Sequence, residues 1–243
     1  MTLPVIQQPV FEVYLKSLDK KVKFRPFLVK EEKLLLIARE SKDNDASLNA
    51  IKQVLQNCLV ESVKTKKPID IDTLPLFDVQ MLFTHLRMKS IGESIALEFT
   101  CTNTLEDETE CEQENSYSLD LNKVKYEIGL GHSRTIQITD KIGVTLRYPT
   151  MTSNLAESED LLDDSLKLIT EHLEFVFDED GVYDTFTSAE VEEFVNSLSS
   201  DQLDKVLNFF ITAPKVVLED VAICKKCKNE HKIYAEDLYS FFI

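Results

Sequence analysis

Two thiols stand at a spacing that can hold a tetrahedral ion: Cys224-Lys225-Lys226-Cys227, followed by Lys228-Asn229-Glu230-His231. Between two strands, a C-x-x-C pair can point both sulfurs at one metal about 2.3 Å from each. One such turn supplies only two ligands, and a structural zinc site takes four. Cys101 and Cys111 flank the tip of an earlier hairpin and are a source for the other two. Nine residues separate them, a long insert for a zinc knuckle. If the two hairpins pack side by side, Cys101, Cys111, Cys224 and Cys227 make a four-thiolate zinc site. The alternative set is Cys224, Cys227 and His231 with one more ligand. The competing view is a pair of reduced thiols in a turn held by hydrogen bonds and packing. A thioredoxin-like redox role fits poorly, because such motifs open a helix within a βαβ pattern and this one lies between strand-like segments. Cys58 falls in an apolar helical stripe and reads as a core residue.

Other chemistry-bearing residues are dispersed. His85 lies within a helix, and His132 and His172 have no nearby nucleophile pattern. Asp178-Glu179-Asp180-Gly181 lacks the D-x-D-x-D-G frame and the distal glutamate of a calcium loop, and Glu157-Ser158-Glu159-Asp160 is a plain acidic run. Both read as solvated turns. The phosphate-cradling, dinucleotide, nucleophile-elbow and H-E-x-x-H motifs do not occur, so these residues point to no catalytic constellation.

The elements that position these residues follow from periodicity. Residues 10–15 (VFEVYL) alternate as a strand, and residues 22–24 pair with them across a short turn. Helices are expected from about Lys30, over residues 44–62 with a stripe of Leu48, Ile51, Val54, Leu55, Cys58 and Leu59, and from Leu76 to about Gly92. The basic turn 64–67 and Pro68 stop the second helix. Residues 94–99 and 117–121 form a hairpin around an acidic loop, and residues 134–138 and 144–148 a second one. Leu162, Leu166, Ile169 and Leu173 share one helical face. Thr187-x-x-Glu190 and Ser199-x-x-Gln202 fit capping boxes. Residues 216–224 and 231–235 make the last strand pair, followed by the aromatic tail 238–242. The expected class is α+β: antiparallel hairpins plus amphipathic helices, with zinc-ribbon-like cysteine hairpins. A polar stretch at 151–158 suggests a division into 1–150 and 151–243, unless the last hairpin returns to the first half.

The chain has 243 residues, enough for one large domain or two small ones, and its 43% hydrophobic content can bury a sizeable core. A net charge of −16 repels phosphates, so nucleic-acid and anionic-membrane binding are not expected, and a basic protein partner would be attracted. No apolar run nears the roughly 18–20 residues needed to span a bilayer, and the N-terminus does not read as a signal peptide. Five cysteines without such a signal argue for reduced thiols or a metal in a chain made in a cytoplasm.

Three segments carry a family resemblance: Lys23-Phe24-Arg25-Pro26-Phe27-Leu28-Val29-Lys30-Glu31-Glu32-Lys33, Leu74-Pro75-Leu76-Phe77-Asp78, and Arg87-Met88-Lys89-Ser90-Ile91-Gly92-Glu93. Further support comes from Ile142-Gly143-Val144-x-Leu146-Arg147-Tyr148-Pro149 and from the stretch between Cys224 and Phe242. With these the chain resembles the baseplate hub proteins of T4-type contractile-tailed bacteriophages over most of its length. The resemblance implies a virion protein of the tail baseplate, made in the infected bacterium. It also implies contact with other phage tail and baseplate proteins, and it carries no catalytic residues. An assembly chaperone for the hub or the tape-measure protein is the alternative, and a metal- or thiol-dependent enzyme a more distant one. Arg25, Pro26 and Phe27 are candidate interface residues. The competing view makes Phe24 and Phe27 core anchors, with Arg25 paired internally.

Overall fold

The computed structural model describes residues 6–41, 43–60, 69–153 and 161–236. The basic turn 64–67, Pro68, the acidic run 157–160 and the aromatic tail 238–242 lie outside the described residues. Those described contain six α-helices and eleven strands in small, largely antiparallel sheets, an α+β fold. The chain forms two compact units: Met1–Tyr126 with Lys215–Ile243, and Glu127–Pro214. The last hairpin therefore belongs with the first unit, and residues 127–150 belong with the second.

The first unit opens with a hairpin, β1 (Phe11–Leu15) and β2 (Lys20–Phe24), in the register Phe11 opposite Phe24. Alternation buries Val13, Leu15, Val22 and Phe24. Helix α1 (Val29–Ser41) follows, then α2 (Asn44–Cys58), whose first turn is capped by the Asp43 carboxylate accepting from Asp45 N–H. Ile51, Val54, Leu55 and Cys58 of the expected stripe are buried, but Leu48 is exposed and the helix ends at Cys58, short of residue 62, with Leu59 extended and bridged to Phe24. Helix α3 (Leu76–Ser90) is enclosed more fully than its pattern suggests. Val79 and Phe83 are buried along with Phe77, Met81, Leu82, Leu86 and Met88, so the helix is apolar on most sides and serves as the unit's centre. Strands β3 (Ser94–Thr100) and β4 (Glu114–Asp120) then pair, with Phe99 opposite Asn115. Strand β5 (Lys125–Glu127) ends the first passage through this unit.

The second unit carries β6 (Thr135–Gln137), β7 (Gly143–Leu146), α4 (Leu161–His172), β8 (Leu173–Phe177), β9 (Val182–Tyr183), α5 (Ser188–Asn196) and α6 (Ser200–Thr212). Its sheet runs β6-β7-β8-β9. The apolar face expected to continue through Leu173 does not stay helical. The helix ends at His172, and LEFVF turns directly into a strand beside β7. Leu173 still reaches the core with Val144, Leu146, Ile169, Val191, Val195, Val206 and Phe209. Aromatic and β-branched residues favour the strand once β7 offers hydrogen bonds. Gly143 sits opposite Phe177, and a Cβ there would lie 2.2 Å from the tip of the Phe177 ring, so any larger residue must displace that ring. Both capping boxes form, with Thr187 and Glu190 at α5 and Ser199 and Gln202 at α6.

The chain then re-enters the first unit as β10 (Lys215–Ile223) and β11 (Glu230–Ala235). These form the sheet β11-β10-β5, with Val216, Val217 and Leu218 fully buried.

Candidate metal centre

Two turns in the first unit, far apart in sequence, have the same backbone construction. In the β10–β11 turn, Cys224 N–H donates to the carbonyl of Asn229 (2.9 Å), and Lys228 N–H donates to the carbonyl of Cys224 (3.1 Å). In the β3–β4 turn, Cys101 N–H donates to Gln113 O (2.9 Å), and Glu112 N–H to Cys101 O (3.0 Å). The residue after the second cysteine is left-handed in both: Lys228 at φ 64° and Glu112 at φ 47°. The long spacing between Cys101 and Cys111 is a side excursion. Cys111 N–H donates to Asn103 O (2.8 Å), closing residues 104–110 into a loop of their own with the bridge Thr104–Glu110. With that loop set aside, both turns place two cysteines in the same relation. Glycine adopts the left-handed region freely, so Glu112 and Lys228 hide the turn from a reading of residue types.

The two turns meet. The sulfurs of Cys101, Cys111, Cys224 and Cys227 all lie within 4.8 Å of one another. Cys101 Sγ is 3.6 Å from Cys227 Sγ, and Cys111 Sγ is 3.8 Å from Cys224 Sγ. These separations rule out disulfides, whose sulfurs lie about 2.05 Å apart. They match a tetrahedron instead, since metal–sulfur bonds of about 2.3 Å give sulfur–sulfur edges of about 3.8 Å. Cys101, Cys111 and Cys224 are buried and Cys227 is half-buried. The arrangement can therefore hold a soft tetrahedral cation with no ligand position left for substrate.

Polar groups surround the sulfurs. Asn115 on β4 is buried; its Nδ2 lies 3.7 Å from Cys224 Sγ, and its Oδ1 accepts from Lys225 N–H (2.9 Å). Asn103 Nδ2 approaches Cys227 Sγ at 3.7 Å, and His231 Nε2 lies 3.1 Å from Cys101 Sγ. His231 thus sits against the thiol group and is not one of the four mutually close ligand atoms. Lys226 Nζ donates to the Cys111 carbonyl (3.1 Å), a further tie between the turns. The sequence offered no signal for Asn103 or Asn115.

The thiols do not ionise alike. Burial pushes the Cys101 thiol up, and hydrogen bonds with the neighbouring thiols add to this despite a bond from Asn103 N–H. Burial also opposes ionisation of Cys224, yet the backbone N–H groups of Cys227 and Lys226, with the Cys227 sulfur and the Asn115 side chain, bring it down. Four thiolates at this spacing repel one another, so full ionisation calls for a cation among them.

The remaining sequence candidates lie elsewhere. Arg25, Pro26 and Phe27 are half-buried. Arg25 donates to Glu31 Oε1 (3.0 Å), Asn57 O (3.0 Å) and Pro26 O (2.9 Å), and Phe27 N–H donates to Ser90 Oγ (3.0 Å). These bonds fasten the segment to α1, α2 and α3, the internal pairing that competes with an interface role. His132 bonds Thr212 Oγ1 and Tyr148 OH and stacks on Phe209. His172 is buried against Leu168 O and Ser153 Oγ. Asp178 accepts from Asp180 and Gly181 N–H in a local turn. Among the described residues no helix is long and apolar enough to cross a membrane.

A family model described as T4 bacteriophage base plate protein matches residues 8–243. No curated protein and no solved structure matches the chain.

Proposed function

The chain belongs to the T4 bacteriophage base plate protein family, and from that membership we propose that it is a structural subunit of the hub region of the tail baseplate in a T4-like contractile-tailed phage. The match over residues 8–243 carries this reading, because it spans both compact units. The working part is then surface that contacts other tail and baseplate proteins, and the location is the virion tail.

The disposition of buried polar groups supports a scaffold. Asp78 is committed to backbone and hydroxyl donors, Glu31 to Arg25 and the Leu28 N–H, and His172 to a carbonyl and a serine. Asp78 joins α3 to the β1–β2 turn and β5, whereas Glu31 and His172 hold the segments that adjoin their helices. The four-cysteine cluster is read the same way, as a fastener and not a reactive centre, and segment 25–27 as a brace behind the contact surface. The charge of −16 favours a partner with a basic face.

Quantitative mass spectrometry of purified tails tests the assignment. A fixed copy number per baseplate is expected. Presence on assembly intermediates with depletion from finished tails would replace the structural role with that of an assembly chaperone for the hub or the tape-measure protein.

A further inference from the structure

We propose that Cys101, Cys111, Cys224 and Cys227 bind one structural zinc ion, and that this ion fastens the returning β10–β11 hairpin to the β3–β4 hairpin. The inference is independent of the baseplate reading and rests on the cysteine geometry alone. Two turns of identical hydrogen-bonding present two sulfurs each, and two of the sulfur pairs already stand at the edge length of a zinc tetrathiolate.

The ligand chemistry selects the metal. Four sulfurs exclude magnesium and calcium, which take oxygen ligands. The four sulfurs are close enough for a single ion. Between zinc and ferrous iron in a tetrahedral thiolate site, affinity favours zinc. Burial of three ligands and the absence of a fifth position make the site closed, the mark of a structural ion and not a catalytic one.

The surroundings answer the charge. Zinc with four thiolates carries a net charge of −2, and N–H groups converge on the sulfurs to disperse it. Asn103 and Asn115 donate from side chains, His231 stands beside Cys101, and the Lys226 amine lies against the Cys111 carbonyl. These partners orient the ligands and tune the affinity without binding the ion themselves.

The placement explains what the ion is for. The sulfurs it joins are 113 residues apart in one pair and 126 in the other. The whole second unit, Glu127–Pro214, is inserted between them. The first unit is completed only when the chain returns, and closing so long a loop costs entropy, which the burial of β10 and its pairing with β5 oppose. A metal cross-link holds the two passages together once they meet.

The test uses the full-length protein, purified without metal-affinity resin or chelator. Elemental analysis should find about one zinc per chain, and stripping by a strong chelator should lower the melting temperature. Cobalt exchanged into the site should show the thiolate-to-cobalt absorption of four sulfur ligands. Cys111→Ser should lose the ion, whereas His231→Asn should keep it with affinity weakened by about tenfold. Cys58→Ser should bind one ion like the parent. Folded protein with less than about a tenth of an ion per chain and no cobalt uptake would overturn the proposal. So would iron in place of zinc, or an ion retained by Cys111→Ser and lost by His231→Asn. Should Cys111→Ser not fold, the cobalt band of the parent protein decides by itself, since its intensity counts the thiolates.

Discussion

Replacing Asp78 by asparagine should cost the first unit about 2–4 kcal/mol, as follows. Asp78 is the third residue of α3 and fully buried, so its charge lies against the positive end of the helix. One carboxylate oxygen accepts from Lys16 N–H (2.9 Å) and Tyr126 OH (2.6 Å). The other accepts from Ser17 N–H (2.9 Å) and from the Ser17 hydroxyl. The carboxylate therefore ties the end of β1 and strand β5 to the central helix. Asparagine keeps the shape but has one acceptor oxygen. With that oxygen on the Lys16 and Tyr126 side, its amide group faces the Ser17 N–H, two donors opposed. The Ser17 hydroxyl can rotate to accept, but the N–H cannot, and leaving it unpaired costs about 1–3 kcal/mol. The two retained bonds lose their charge assistance, a further ~1 kcal/mol together. Urea unfolding followed by far-UV circular dichroism measures the change, with an unchanged m-value as the control. Tyr126→Phe removes one donor and should cost about 1–2 kcal/mol, and combined with Asp78→Asn it should show coupling of about 1 kcal/mol. A loss below about 1 kcal/mol for Asp78→Asn, or strict additivity of the pair, would refute the clamp.

Two further outcomes are expected. Gly143→Ala forces a methyl group against the Phe177 ring and should destabilise the second unit by about 1–3 kcal/mol; thermal melting checks it, and an unchanged melting temperature would mean that the β7–β8 pair can shift. Glu31 contributes to acid sensitivity. Burial raises its carboxyl, but the Arg25 guanidinium and the Leu28 N–H outweigh that and hold it below its ordinary value of 4.5. A depressed carboxylate stabilises the fold above its unfolded pKa and loses that contribution as the pH falls through the folded one. The parent should thus lose stability from the ordinary glutamate range downward, and Glu31→Gln should be weaker at neutral pH with a shallower acid slope. Parallel slopes in melts across that range would remove Glu31 from the account.

Local pattern was informative wherever the deciding interactions are local. Alternation located the β1–β2 hairpin, and three- and four-residue spacing located the α2 stripe. Thr187-x-x-Glu190 and Ser199-x-x-Gln202 capped their helices as read, because both halves of a capping box lie within one turn. The pattern was less informative at Leu173–Phe177. An apolar run beside a helix satisfies either period, and the hydrogen bonds offered by β7 settled the matter. Local pattern did not single out Asp78 as a clamp, for its donors at Lys16, Ser17 and Tyr126 are brought to it only by folding.

The sequence by itself determined the β1–β2 hairpin, the capped helices α5 and α6, the C-x-x-C turn and the residues that carry the family resemblance, since each depends on neighbours a few positions away. Tertiary structure alone decided that Cys101 and Cys111 form the counterpart turn, that residues 104–110 loop out of it, and that the last hairpin rejoins the first unit around an inserted second one. The reason is physical: the meeting of four sulfurs from two passages of the chain depends on which surfaces are buried together, and a one-dimensional spacing does not encode that.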